Sequence, residues 1–198
     1  MRLNRIEHAL LHNPVRPFIQ SHLEARQLLR LGGPLKGGQA LEIGCGMGYG
    51  IRLILDKFQA ARVDAFDIDS RSVVAAARHP DLAEYKVRLW VGNARHIPVL
   101  DESYDAVFDF GAIHHIRSWR AALSEIFRVI KPGGRFYCEE IMKRYITHPL
   151  LRRILVHPQH DRFNEFELYE ALSDTGFVVK NSYGLFGLYT WIIADKPH

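Results

Sequence analysis

The stretch Ala40-Leu41-Glu42-Ile43-Gly44-Cys45-Gly46-Met47-Gly48-Tyr49-Gly50 narrows the possible folds more than any other part of this 198-residue chain. A short apolar run passes into alternating glycines and then into a helical pattern, which reads as strand, tight loop and helix. Glycines at 44, 46 and 48 carry no Cβ, so a ligand can lie against the loop. Amides at the start of the following helix are expected to address its negative groups. The loop reads as a cofactor cradle.

Spacing separates the candidate cofactors. A dinucleotide loop requires G-x-G-x-x-G, with the third glycine packing helix on strand beneath a pyrophosphate. Counted from Gly44 the sixth position is Tyr49, and counted from Gly46 it is Ile51, so that glycine is missing. Glu42, two residues before the first glycine, suits a ligand carrying an ammonium or a sulfonium and suits a pyrophosphate poorly. Here the sequence resembles the class I S-adenosylmethionine-dependent methyltransferases of the small-molecule, type 11 kind, whose first motif is an acid followed by G-x-G-x-G.

Four further stretches stand in the family's order. Arg62-Val63-Asp64-Ala65-Phe66 reads as a second strand ending at Asp67. An acid there also suits a nicotinamide cofactor, so alone it discriminates little. Gly92-Asn93-Ala94-Arg95-His96-Ile97-Pro98, then Asp101-Glu102-Ser103-Tyr104-Asp105-Ala106-Val107, look like the third and fourth motifs. Arg128-Val129-Ile130-Lys131-Pro132-Gly133-Gly134 is similar to the turn into the fifth strand. The resemblance covers roughly residues 40–195 and implies S-adenosylmethionine as cofactor. It places Glu42, Gly44, Gly46 and Gly48 at the amino-acid end of that cofactor, Asp67 at the ribose, and Asn93 and Ala94 at the adenine, with Cys45 and Ile68 as further cofactor contacts. Asn93 departs from the Asp of many relatives, yet an amide can both accept and donate there.

The fourth strand runs into Asp109-Phe110-Gly111-Ala112-Ile113-His114-His115, and ligands of open α/β sheets lie beyond the carboxyl ends of the strands. Asp109 reads either as a contact to the cofactor ammonium or substrate, or as a loop-fixing acceptor. His114 and His115 are candidates for a general base, since imidazole can take a proton at neutral pH. A structural part for the pair is the other reading. The Asn/Asp-Pro-Pro-Tyr/Phe signature of amine-methylating relatives is missing, and the basic segments lack aromatic interleaving, which counts against nucleic acid.

From Leu41 onward apolar strands alternate with helical stretches, the mark of a doubly wound, mostly parallel Rossmann-like sheet. Strands are expected near 40–43, 62–66, 86–91, 104–110 and 134–140, and helices near 49–58, 70–78 and 118–130. Asn164 and Glu167 form a capping-box pair before a helix over 168–175, stopped by Gly176. The runs 177–183 and 188–194, joined by a turn at 184–187, are too close for a parallel crossover and should pair as a C-terminal antiparallel hairpin. The resemblance implies a seven-stranded sheet ending that way. A helical cap over 1–36, with Leu3, Ile6 and Leu10 on one face and a second pattern through Ile19, Leu23, Leu28 and Leu29, precedes a single catalytic domain over 37–198. In this family such helices cap the substrate side of the sheet.

Composition adds bounds. No apolar run approaches the ~20 residues that span a bilayer, and the N-terminus lacks a signal-peptide pattern; a soluble, cytoplasmic protein is expected. Cys45 and Cys138 form no metal or disulfide spacing and read as small packing residues. His148, His157, His160 and Asp161 match no familiar metal spacing, and no metal is expected. Six basic residues against Glu7 and Glu24 in the first 36 give the whole formal excess of +4. Lys143, Arg144, Arg152 and Arg153 form a second basic segment. Both read as solvated surface or as attraction for an anionic substrate or an acidic surface. Leu150 to Val156 reads as a lid, an interfacial patch or a core-facing helix. The expected activity is methyl transfer to a small-molecule oxygen, nitrogen or carbon acceptor. The alternatives are a lipid or quinone-like acceptor at a membrane surface, and a cofactor-binding regulator without turnover.

Overall fold

A computed structural model describes residues 25–143 and 162–198. Its strands are β1 (Gln39–Ile43), β2 (Arg62–Asp67), β3 (Val87–Val91), β4 (Tyr104–Phe110), β5 (Ile130–Ile141), β6 (Val178–Leu185) and β7 (Tyr189–Asp195). The helices are α1 (Ala25–Gly32), α2 (Tyr49–Asp56), α3 (Ser70–Ala77), α4 (Trp119–Val129) and α5 (Glu165–Thr175). All seven strands join one sheet in the order β3-β2-β1-β4-β5-β7-β6. β1 to β5 pair in parallel, and β7 runs antiparallel between β5 and β6. This is the doubly wound architecture with a terminal hairpin expected from the chain.

Alternation along each strand builds two cores. Leu41, Ile43, Val107, Phe136, Cys138 and Ile192 face α4 and α5, meeting Trp119, Leu123, Ile126, Leu168 and Leu172. Ala40, Ala106, Phe108, Tyr137 and Ile193 face the other way, toward Leu28 of α1 and Ile51 and Ile54 of α2. Phe58, Phe108 and Tyr137 meet as packed rings on that side. Glu42 shares the face of Ala40, whereas Asp109, paired in register with Ile43, shares the face of Val107. That parity decides the geometry of the site.

Three element boundaries shift for physical reasons. β5 begins at Ile130 rather than 134, because Ile130 pairs with Tyr104 and residues 131–134 bulge before Arg135 meets Ala106. The hairpin turn falls at Phe186 and Gly187, both at positive φ, while Gly184 stays in β6, where a Cβ would lie 2.7 Å from the Glu165 carboxylate. The capping box is present, with Asn164 Oδ1 accepting from the Glu167 amide at 2.9 Å and Glu167 Oε2 from the Asn164 amide at 2.8 Å. It starts α5 at Glu165, one turn before the expected first residue.

The first described helix ends at Gly32, and Tyr137 Oη fastens the exit by donating to the Gly33 carbonyl at 2.9 Å. α1 packs on β5, β6 and β7 with Leu28 fully buried. The readings of residues 1–24 and of the basic, histidine-containing segment 144–161 lie outside the described residues. Among the described residues no helix is long and apolar enough to cross a membrane.

Candidate functional site

Strand order reverses between β1 and β4, and a cavity of about 570 Å³ opens there at the carboxyl ends of β1, β2 and β4. Of the residues singled out in the sequence, Glu42, Gly44, Cys45, Gly46, Asp67, Ile68, Asn93, Ala94 and His115 line it. Gly48, Asp109 and His114 do not.

The glycine loop is tied to β2 and closed by one bond of its own. The Cys45 amide donates to the Phe66 carbonyl, the Gly46 amide to Asp67 Oδ2 at 3.0 Å, and the Gly48 amide to the Cys45 carbonyl. These three N–H groups are taken within the protein, and the helix whose opening amides are expected to address negative groups begins after them, at Tyr49. Gly44 and Gly46 leave the wall open: a Cβ on Gly44 would meet Ala112 Cβ at 2.5 Å, and Gly46 has open space at φ 51°. Gly48 has a packing role instead. Its φ of 91° caps α2, and a Cβ there would press on Ala76 and Leu82 at 3.2 Å.

Glu42 is 2% exposed, and its Oε2 has no hydrogen-bond partner. Burial first, then the nearby charges of Asp67 and Asp109, hold its carboxyl well above the usual carboxylate range. A buried acceptor left open in this way is costly unless a donor or cation arrives. Gly50 completes this corner, because any Cβ there would collide with the Glu42 carboxylate. The sequence reading missed Gly50. Glu42 points from the sheet toward α2, so the second residue of that helix has to lack a side chain.

Asp67 has its orientation fixed by two donors, the Gly46 amide and the Asp69 amide, at 3.0 and 2.8 Å. A carboxylate offers about four lone-pair directions, so it retains capacity for a pair of hydroxyls. Ile68, 60% exposed, presents an apolar lip beside it. Across the cavity the Asn93 amide oxygen accepts from the Arg95 amide at 3.0 Å, which leaves one lone pair and the amide N–H groups for a ligand. Burial pushes the Cys45 thiol up, so it is a packing wall and not a nucleophile.

Asp109 is a correction. It is fully buried on the face opposite Glu42, where Oδ1 accepts from the Ala112 amide at 2.8 Å and the carboxyl bonds Glu140. Its loop-fixing reading is the one the structure shows, and its carboxyl is held well above the usual range by burial and by Glu140. His114 is likewise withdrawn: it is 5% exposed, and Nδ1 lies 2.7 Å from Glu140 Oε2. His115, whose ring centre is 4.1 Å from that of His114, faces the cavity with Gly111, Ala112, Ile116 and Arg117. Glu140 and Arg162, which bonds the His114 carbonyl, escaped the sequence reading. The sheet alternation that places Cys138 beside Asp109 also places Glu140 on that face.

The cavity thus combines an open buried carboxylate, a fixed carboxylate for a diol, an amide for a base edge and a glycine wall. These features fit a nucleoside carrying a cationic amino-acid arm. Among the described residues no group of acids, histidines and cysteines could hold a metal ion.

Comparisons with known proteins agree. Residues 41–138 match the methyltransferase domain model of the type 11 family. A probable S-adenosylmethionine-dependent methyltransferase from Mycolicibacterium smegmatis is 37% identical over 159 residues, 79% of this chain and 58% of that protein. A demethylmenaquinone methyltransferase from Symbiobacterium thermophilum is 35% identical over 114 residues, 55% of this chain and 45% of that protein. The chain thus spans about half the length of these curated relatives. The crystal structure of an S-adenosylmethionine-dependent methyltransferase from Aquifex aeolicus superposes with a TM-score of 0.77 at 20% identity, covering 98% of this chain and 100% of that one.

Proposed function

From the premise that this chain belongs to the class I S-adenosylmethionine-dependent methyltransferases, we propose that it moves a methyl group from that cofactor to an apolar, quinone- or lipid-like small molecule. The observation that carries the reading is the meeting, in one cavity, of the unpartnered Glu42 oxygen, Asp67, the glycine wall and His115. The cofactor supplies a methyl already activated on a sulfonium, so the protein's task is alignment and exclusion of water.

Each residue has a part in this reading. Glu42 takes the ammonium of the amino-acid arm, for which a buried open carboxylate is suited. Asp67 takes the ribose hydroxyls, while Asn93 and the Ala94 backbone meet the adenine and Ile68 covers it. His115 stands on the acceptor side and takes the proton released as an accepting hydroxyl becomes a nucleophile. The acceptor class is supported by Phe110, Ala112 and Ile116 along that side of the cavity, and by the quinone named for the Symbiobacterium relative.

Incubation with methyl-labelled S-adenosylmethionine and a panel of probes tests the proposal: a long-chain fatty acid, a prenylated naphthohydroquinone, a simple phenol and an amine. Label should enter one of the two apolar probes. Transfer only to the phenol or the amine would overturn the acceptor class. Tight cofactor binding with no transfer to any probe would favour a binding-only protein.

A further inference from the structure

We propose that Glu140 is the positioning residue of the acceptor side: through His114, its carboxyl group sets the segment 112–116 so that His115 faces the cavity. The inference rests on the reading that the acceptor enters beside His115. It concerns a residue outside the cavity itself.

The segment cannot hold itself. Residues Ile113–His115 form one 3-10 turn, closed by the bonds from the His115 amide to the Ala112 carbonyl and from the Ile116 amide to the Ile113 carbonyl. A lone turn fixes several dihedrals for little return. Its anchors come from elsewhere, and they converge on His114. Glu140 Oε1 accepts from the His114 amide at 3.2 Å, and Glu140 Oε2 pairs with His114 Nδ1 at 2.7 Å. Arg162, at the approach to α5, donates to the His114 carbonyl. One residue is thus gripped at its amide, its ring and its carbonyl, and the next residue is the one that meets the cavity.

Glu140 is itself held in place. It is fully buried at the end of β5, Oε2 also accepts from the Ile141 amide at 3.1 Å, and the carboxyl bonds Asp109 of β4. Asp109 in turn accepts from the Ala112 amide at 2.8 Å, the start of the same segment. The two acids therefore tie both ends of the 112–114 backbone to adjacent strands. Leucine at position 140 fills similar space and offers no polar atom to the His114 amide or ring, so Glu140→Leu removes the grip.

Backbone amide exchange tests this without an acceptor and without turnover, so it succeeds or fails independently of the acceptor class proposed above. In Glu140→Leu, saturated with S-adenosylhomocysteine, amides of 112–116 should exchange at least tenfold faster than in the parent, while amides of β1 and β2 stay within twofold. Asp109→Asn keeps an oxygen for Ala112 and a donor for Glu140, and should stay within threefold of the parent throughout. A measurement on the parent alone covers the case in which the Leu variant fails to fold: the His114 amide, held by Glu140, and the His115 and Ile116 amides, held within the turn, should show matching protection once each is normalised to its intrinsic exchange rate, because one opening releases all three. Exchange in Glu140→Leu within twofold of the parent over 112–116, or acceleration spread evenly over the sheet, would overturn the proposal. So would protection of the His114 amide tenfold or more out of step with that of the His115 and Ile116 amides.

Discussion

Glu42 is a buried carboxyl with one open oxygen, whereas Asp67 is held by two loop amides. Burial and its acidic neighbours raise the Glu42 carboxyl well above the usual carboxylate range. A cationic arm beside it favours the ionised form, so cofactor binding should release a proton through Glu42. Calorimetry of S-adenosylhomocysteine binding in buffers of different ionisation enthalpy reads this directly: the apparent enthalpy should vary with buffer for the parent and lose most of that dependence in Glu42→Gln. Asp67→Ala removes charge-assisted bonds worth about 1.5–3 kcal/mol each, and affinity should fall about tenfold or more. The two histidines also part company. His115→Asn should lower turnover on a confirmed acceptor by roughly 10²- to 10⁴-fold with cofactor affinity nearly constant. His114→Asn should lower thermal stability along with rate, since it breaks a buried pair with Glu140.

At the scale of elements, the cavity depends on where strands end and helices begin. α5 starts at a complete capping box. Asn164→Ala should therefore cost about 1 kcal/mol, seen as a melting temperature lower by about 2–4 °C. That cap was legible in the chain because its chemistry is local, as were the glycine loop, the end of β2 at Asp67 and the stop at Gly176. Asp109 was not assignable, since both readings put a carboxylate at the end of β4. Only the face it occupies separates them, and that follows from its register with Ile43. The same alternation, applied along β5 from Cys138, would have drawn attention to Glu140. Its grip on His114 spans 26 residues of sequence, and no local pattern announces it. The role of Gly48 was misread for a related reason: Ala76 and Leu82, which it packs against, arrive from α3 and the turn after it.

Across the whole molecule, three buried acids at the carboxyl end of the sheet are raised in the same direction, which sets how stability responds to pH. Burial moves Glu140 from an ordinary 4.5 to about 7, so the folded chain binds a proton there that the unfolded chain has released. The stabilisation is complete below about 4.5 and is lost as pH rises through about 7. Denaturant midpoints measured across that window should fall with rising pH in the parent, with a shallower slope in Glu140→Gln; an unchanged slope would remove Glu140 from this account. Of the three, Glu42 faces the cavity, while Asp109 and Glu140 are accommodated by bonding each other, the Ala112 amide and His114. The most direct measurement is calorimetric titration of the chain with S-adenosylmethionine, S-adenosylhomocysteine and a nicotinamide dinucleotide, in the parent and in Gly46→Val. One-to-one binding of both sulfur nucleosides, no response to the dinucleotide and loss of binding in a folded Gly46→Val are the predicted results. Tight dinucleotide binding without response to either sulfur nucleoside would contradict the account.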